Sequence, residues 1–171
     1  MGEVFLSAEE LDARVSELGA DIARDYAGRD LLLVSLLKAS FVFLTDLSRA
    51  IPIAHAIDFV ELAGYNGADT GGHSRVRLLK DTAIPVTGHD VLLVEDVVDT
   101  GLTLNSLLKM LRFRGAASVE VCTLLDRPYR RLAVITPRYT GFTAPDDFVV
   151  GYGFDHRQRF RNLPDIHLLV R

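Results

Sequence analysis

The sequence predicts an α/β fold, a parallel sheet flanked by helices with a small appended lobe and a flexible loop, and three observations carry that prediction. Two short runs, Leu31 to Leu37 and Val91 to Val94, are apolar without polar alternation, as in strands covered on both faces. Each gives way to a polar turn and then to a helical pattern, and a β-rich run, Ser118 to Leu125, follows the second. Strand-helix-strand units of this kind close right-handed into parallel sheets, whose ligands bind beyond the carboxyl ends of the strands.

The elements follow in order. Ser7 with Glu10 three residues later forms a capping box, and Leu11, Val15, Leu18 and Ile22 recur at helical spacing until Gly28 offers a stop. After the first buried strand, Lys38-Ala39-Ser40 interrupts the apolar pattern, and a helix is expected over Phe41 to Ala50 until Pro52 ends it. Ala54 to Leu62 reads as a strand, Gly64 to Gly72 as a glycine-rich flexible loop, and Arg75 to Leu79 as a short strand. Val91 to Val94 is the second buried strand and ends in the carboxylates Glu95 and Asp96; Thr103 to Arg114 is a helix closed by Gly115; Ser118 to Leu125 returns as a strand ending in Asp126. Past Pro128 the chain is punctuated by Pro, Gly and Arg, with Phe148 to Tyr152 as its one clear apolar run. We read residues 1–171 as a single domain, whose small lobe comes mainly from about 128–171 and the N-terminal segment.

Composition narrows the function classes. With 19 Lys+Arg against 23 Asp+Glu the formal net charge is −4, and there is no basic run, so nucleic acid is not an expected partner; only a cluster at Arg127, Arg130 and Arg131 lacks an explanation. The apolar stretch Leu31 to Leu44 is broken by Lys38 and falls short of the ~20 residues a spanning helix needs, so no membrane role is expected. The N-terminus carries no recognisable targeting signal. The single cysteine, Cys122, sits among Val121, Leu124 and Leu125 and suits a buried thiol in a reducing, cytoplasmic setting.

The strongest functional signal runs from Val91 to Thr103: a buried strand, two adjacent carboxylates, Val97-Val98, and then Asp99-Thr100-Gly101-Leu102-Thr103 at a helix start. Backbone N–H groups at a helix N-terminus, assisted by the Thr100 and Thr103 hydroxyls and by close approach at Gly101, suit a terminal phosphate. Glu95 and Asp96 offer only acceptors, as a ribose diol or a hydrated magnesium ion requires. The plainer alternative is that Asp99 and Thr100 merely cap the helix. That alternative leaves the repelling carboxylate pair without a purpose.

These thirteen residues resemble the phosphoribosyl-pyrophosphate signature of type I phosphoribosyltransferases. The stretch Asp147 to Asp155, continuing to Arg161-Asn162-Leu163-Pro164, is similar to the purine-binding end of the hypoxanthine-guanine branch of that family. The resemblance, extending from about Ser7 to Pro164, implies a type I phosphoribosyltransferase-like core and a magnesium-dependent purine-salvage reaction. In it, hypoxanthine or guanine displaces pyrophosphate from phosphoribosyl pyrophosphate. It implies that Glu95 and Asp96 hold the ribose hydroxyls and Mg2+, that Asp99 is the general base near purine N7, and that Val98 to Thr103 cradle the 5′-phosphate. It further implies that Lys38, with Ala39, and Arg161 reach the pyrophosphate and that Phe148 stacks on the purine. Val149, Asp155 and Arg127 then read the base edge, Asp155 also lies near a second metal, and Gly64 and Tyr65 open a lid. A homo-oligomer, dimer or tetramer, is expected on the same ground.

Three positions depart from the family pattern: Ala39 replaces the usual glycine after the lysine, Gly64 the usual serine before the lid tyrosine, and Arg127 the usual lysine facing the 6-oxo group. Taken without the resemblance, Phe148 reads as core and Lys38 as a solvated turn residue. Two further functions stay open at this point: a regulator that senses phosphoribosyl pyrophosphate without turning it over, and a sister transferase that prefers xanthine.

Overall fold

The structure, a computed structural model, describes residues 2–65 and 75–169. Its centre is a six-stranded sheet built from β2 (Leu31–Leu37), β3 (Ala56–Tyr65), β4 (Arg75–Lys80), β5 (Asp90–Val98), β6 (Ser118–Asp126) and β7 (Tyr139–Thr143). The order is β4-β3-β2-β5-β6-β7, parallel throughout except for β4, which pairs antiparallel with β3 at the edge. A second, three-stranded sheet has the order β1-β9-β8, from β1 (Val4–Leu6), β8 (Val149–Val150) and β9 (Ile166–Leu168). The chain's two ends are thereby tied together.

The apolar runs of β2 and β5 have no polar alternation because both faces of the sheet are covered. Successive side chains point to opposite faces. Leu31, Leu33, Leu92 and Val94 pack with helices α1 (Ala8–Asp25) and α2 (Phe41–Ala50) and with the small sheet, whereas Leu32, Val34, Val91 and Leu93 pack against α3 (Leu102–Phe113). Helix α1 starts at the expected capping box, in which Ser7 Oγ accepts from the Glu10 N–H and the Glu10 carboxylate accepts from the Ser7 N–H. Cys122 is fully buried, and burial pushes its thiol pKa upward.

Two expectations are corrected. Glu95 and Asp96 do not lie past the end of the second buried strand: β5 continues through them to Val98, because its far edge keeps pairing with β6, Val97 opposite Leu125 and Val98 opposite Asp126. Residues 139–143 belong to the main sheet as β7 and not to an appended lobe. Gly141 makes that pairing possible, since a β-carbon there would collide with the Leu124 carbonyl. Of the expected flexible loop, residues 66–72 lie outside the described residues; Gly64 and Tyr65 close β3, paired with Val76 and Arg75.

Candidate active site

Parallel strands deliver their connecting turns to one edge of the sheet, and here the turns after β2, β5 and β6 meet there. The first, Lys38-Ala39-Ser40, follows a cis Leu37–Lys38 peptide and is fixed from within. Ser40 Oγ donates to the Leu36 carbonyl and Ser35 Oγ to Ser40 Oγ, and both serines are buried. Ala39 is not among the residues with positive φ, so its β-carbon brings no backbone strain. The glycine requirement falls instead on Gly153, at φ +99°, where a β-carbon would collide with the Ala39 carbonyl. Lys38 is exposed.

The second turn follows β5. Glu95, Asp96, Val98, Asp99, Thr100, Gly101 and Thr103 all line one cavity of about 250 Å³. Leu102 is the first residue of α3, with its side chain half exposed outside that cavity. Among the described residues no side chain caps helix α3: its N-cap is Gly101, in the left-handed region at φ +76°. Asp99 and Thr100 therefore do not serve as helix caps, and among the described residues the N–H groups of the first turn of α3 have no side-chain acceptor. Burial, and then the neighbouring Asp96 charge, raise the Glu95 pKa well above the usual carboxylate range. Asp96 is pushed up to about 6, chiefly by burial and against the N–H groups of Val97 and Asp96 itself; Arg161 opposes the rise and Asp155 adds to it.

Asp99 is met by two arginines from the third turn, Arg130 at 3.4 Å and Arg127 at 4.0 Å. Its Oδ1 atom is nonetheless buried and, among the described residues, accepts no hydrogen bond. A second cavity, about 210 Å³, adjoins the first by sharing Asp96 and Val97, and Ala39, Arg127, Phe148, Val149, Phe154 and Asp155 complete it. Phe148 is 48% exposed, which removes the core reading, and meets His156 edge to face at 6.0 Å. Arg127 is nearly buried: its Nη2 donates to the Asp147 carbonyl at 2.9 Å, and its Nε has no partner among the described residues.

Asp155 and Arg161 form an ion pair of 2.7 Å, and Arg161 Nη1 also donates to the Gly153 carbonyl. Arg161 lines neither of these cavities; it borders a larger one, about 560 Å³, between α1, α2 and residues 152–164, which contains none of the carboxylates from Glu95 to Asp99. Its size does not make it the site, because the acids and the open helix start lie elsewhere. Among the described residues no three His, Cys, Asp or Glu side chains are grouped so as to hold a metal by themselves. The Glu95-Asp96 pair still fits a hard cation, since adjacent carboxylates, one buried and one partly buried, are relieved by positive charge and magnesium takes one or two carboxylates beside substrate phosphates. Arg130, which no sequence motif assigned to the site, was visible only as part of an unexplained cluster.

The phosphoribosyl transferase domain family matches residues 5–157. The hypoxanthine-guanine phosphoribosyltransferase of Mycobacterium avium is 46% identical over 97% of this chain and 84% of its own. The hypoxanthine phosphoribosyltransferase of Escherichia coli is 42% identical over 98% and 95% respectively. The crystal structure of a hypoxanthine phosphoribosyltransferase from Staphylococcus aureus superposes with a TM-score of 0.93 at 42% identity, covering 98% of this chain and 91% of that one. No described helix is long and apolar enough to cross a membrane. Similarity of that extent, over nearly the whole chain in sequence and in fold, establishes that the chain belongs to the phosphoribosyltransferase family, on its hypoxanthine(-guanine) branch.

Proposed function

We propose that this chain joins hypoxanthine or guanine to the ribose of phosphoribosyl pyrophosphate: a bond forms between a purine ring nitrogen and the anomeric carbon, the bond from that carbon to pyrophosphate breaks, and the purine proton is lost. The observation that carries the reading is the place of the Asp99 carboxylate: the residue lines the first cavity, Arg127 of the second lies 4.0 Å from its Oδ2, and Arg130 lies 3.4 Å from its buried Oδ1. A carboxylate so placed can take the purine proton as positive charge grows at the anomeric carbon. The uncapped start of α3 and the Gly101 turn suit the 5′-phosphate, and Glu95 and Asp96 the ribose hydroxyls and a divalent cation. When bound, that cation would offset charge on the leaving oxygens.

In the second cavity, the exposed Phe148 ring offers a stacking face, and the Arg127 guanidinium that lines it carries only N–H donors, as a 6-oxo group requires. Lys38, exposed after β2, and Arg161, once released from Asp155, suit the pyrophosphate. We assign Gly64 and Tyr65 to the start of a lid, Asp155 to a second cation, and a homo-oligomer to the working form; sedimentation velocity tests the last. The reaction is tested by incubating the protein with phosphoribosyl pyrophosphate, magnesium and each of hypoxanthine, guanine, xanthine and adenine. Mononucleotide from the first two is expected; mononucleotide from xanthine alone would shift the substrate, and none from any base would refute the assignment.

A further inference from the structure

Two members of the arginine cluster, Arg130 and Arg131, line neither cavity, and Arg131 is the more deeply buried. Arg131, largely buried, is clamped between two acceptors: Nη2 pairs with the Asp126 carboxylate at the end of β6, and Nη1 donates to the Asp99 backbone carbonyl at 2.9 Å. The backbone around it acts on the neighbouring carbonyls. The Arg127 N–H donates to the Val98 carbonyl, and the Leu132 and Ala133 N–H groups both donate to that of Thr100, each at 3.0 Å. Three consecutive carbonyls, those of Val98, Asp99 and Thr100, are thus drawn toward the segment 127–133.

A trans peptide points its C=O and the following N–H in opposite directions. The N–H groups of Asp99, Thr100 and Gly101 therefore face away from segment 127–133. The 250 Å³ cavity is lined by these same residues and by none from 127–133, so it lies on the side the N–H groups face. Gly101 is squeezed in the same arrangement, since a β-carbon there would sit 3.3 Å from both Arg131 Cδ and Ile135 Cδ1.

We infer that Arg131 is a positioning residue for anion binding: it holds the 98–101 turn by its carbonyl side so that the N–H side stays aimed at a phosphate monoester, without touching the ligand. The inference rests on assigning that cavity to the 5′-phosphate. Of the four bonds that orient the turn, the Arg131 bond is the one a side chain supplies and substitution can remove.

The test uses the full chain, Arg131→Met, which keeps the apolar stem, and Arg131→Lys, which keeps the charge opposite Asp126 but cannot span both acceptors as a planar fork does. Ribose 5-phosphate binding is measured by titration calorimetry, and KM and kcat are measured for both substrates. Losing a hydrogen bond to a charged donor is worth roughly 10-fold. Arg131→Met should weaken ribose 5-phosphate by about that factor and raise KM for phosphoribosyl pyrophosphate, leaving KM for hypoxanthine unchanged; Arg131→Lys should fall between parent and Met. Unchanged ribose 5-phosphate affinity in the variants, or an equal rise in both KM values, overturns the role of Arg131. If the Met variant does not fold, the Lys variant decides by the same criterion. A parent that fails to bind ribose 5-phosphate overturns the cavity assignment itself.

Discussion

Asp96→Asn should make the free protein more stable while removing its activity, and the pH at which the gain appears is set by the site. The folded state raises this carboxyl from 3.8 to about 6, mainly through burial, so folding favours its protonated form. Below the unfolded value both states are protonated and the group costs nothing; the penalty grows as pH rises and is complete above the folded value. At 1.36 kcal/mol per unit, a rise of about 2 units corresponds to about 3 kcal/mol at pH 7.5 and on the order of 1 kcal/mol at pH 4.5. Asparagine keeps an oxygen for the N–H groups of Val97 and Asp96 but never carries the charge. For a chain of this size each kcal/mol is worth about 2–4 °C, so the variant should melt roughly 6–12 °C above the parent at pH 7.5 and a few degrees above it at pH 4.5. Thermal melts of both proteins at matched ionic strength measure this. A variant no more stable than the parent at pH 7.5, or a gap that does not widen with pH, would refute the claim that this acid is held in the site against its own solvation.

Asp99→Asn should lower turnover by roughly 10²-fold or more while phosphoribosyl pyrophosphate still binds, and unchanged turnover would remove Asp99 as the base. Chelation of divalent metal should abolish activity, with recovery on adding magnesium; full activity in excess chelator would contradict the role given to Glu95 and Asp96. Arg127→Lys should preserve the preference for 6-oxopurines over adenine, because both side chains only donate, whereas Arg127→Ala should erode it. A selectivity of up to roughly 10⁴ in kcat/KM comes from such a contact, and comparable values for adenine and hypoxanthine in the parent would remove it.

How much of this was legible in the sequence depends on the kind of signal. β2 and α2 fall where the apolar run and the helical pattern place them, and Ser7 and Glu10 fix the start of α1, because burial on both faces and capping chemistry leave local marks. β7 left almost none: it is five residues with a central glycine, and it is a strand because β6 offers it backbone partners. The extension of β5 through Glu95 and Asp96 was hidden for a related reason, since paired carboxylates look like a strand end until the neighbouring strand is seen to continue beside them. In the site, the stretch Glu95 to Thr103 was readable because its residues are contiguous. The neighbours that govern it were not: Arg130 beside Asp99 and Arg131 behind its carbonyl arrive from another turn, and sequence showed only that three arginines were close together. The Arg161–Asp155 pair was equally unforeseen, because each residue had been assigned to a different part of the substrate.

The central claim is that the two adjoining cavities carry out a transfer and do not merely hold phosphoribosyl pyrophosphate. Quantifying mononucleotide and pyrophosphate in the same reaction, with and without hypoxanthine, tests it most directly. The account predicts the two products in a one-to-one ratio, formed only when hypoxanthine is present. Binding of phosphoribosyl pyrophosphate with no mononucleotide, or pyrophosphate release that ignores the base, would contradict it.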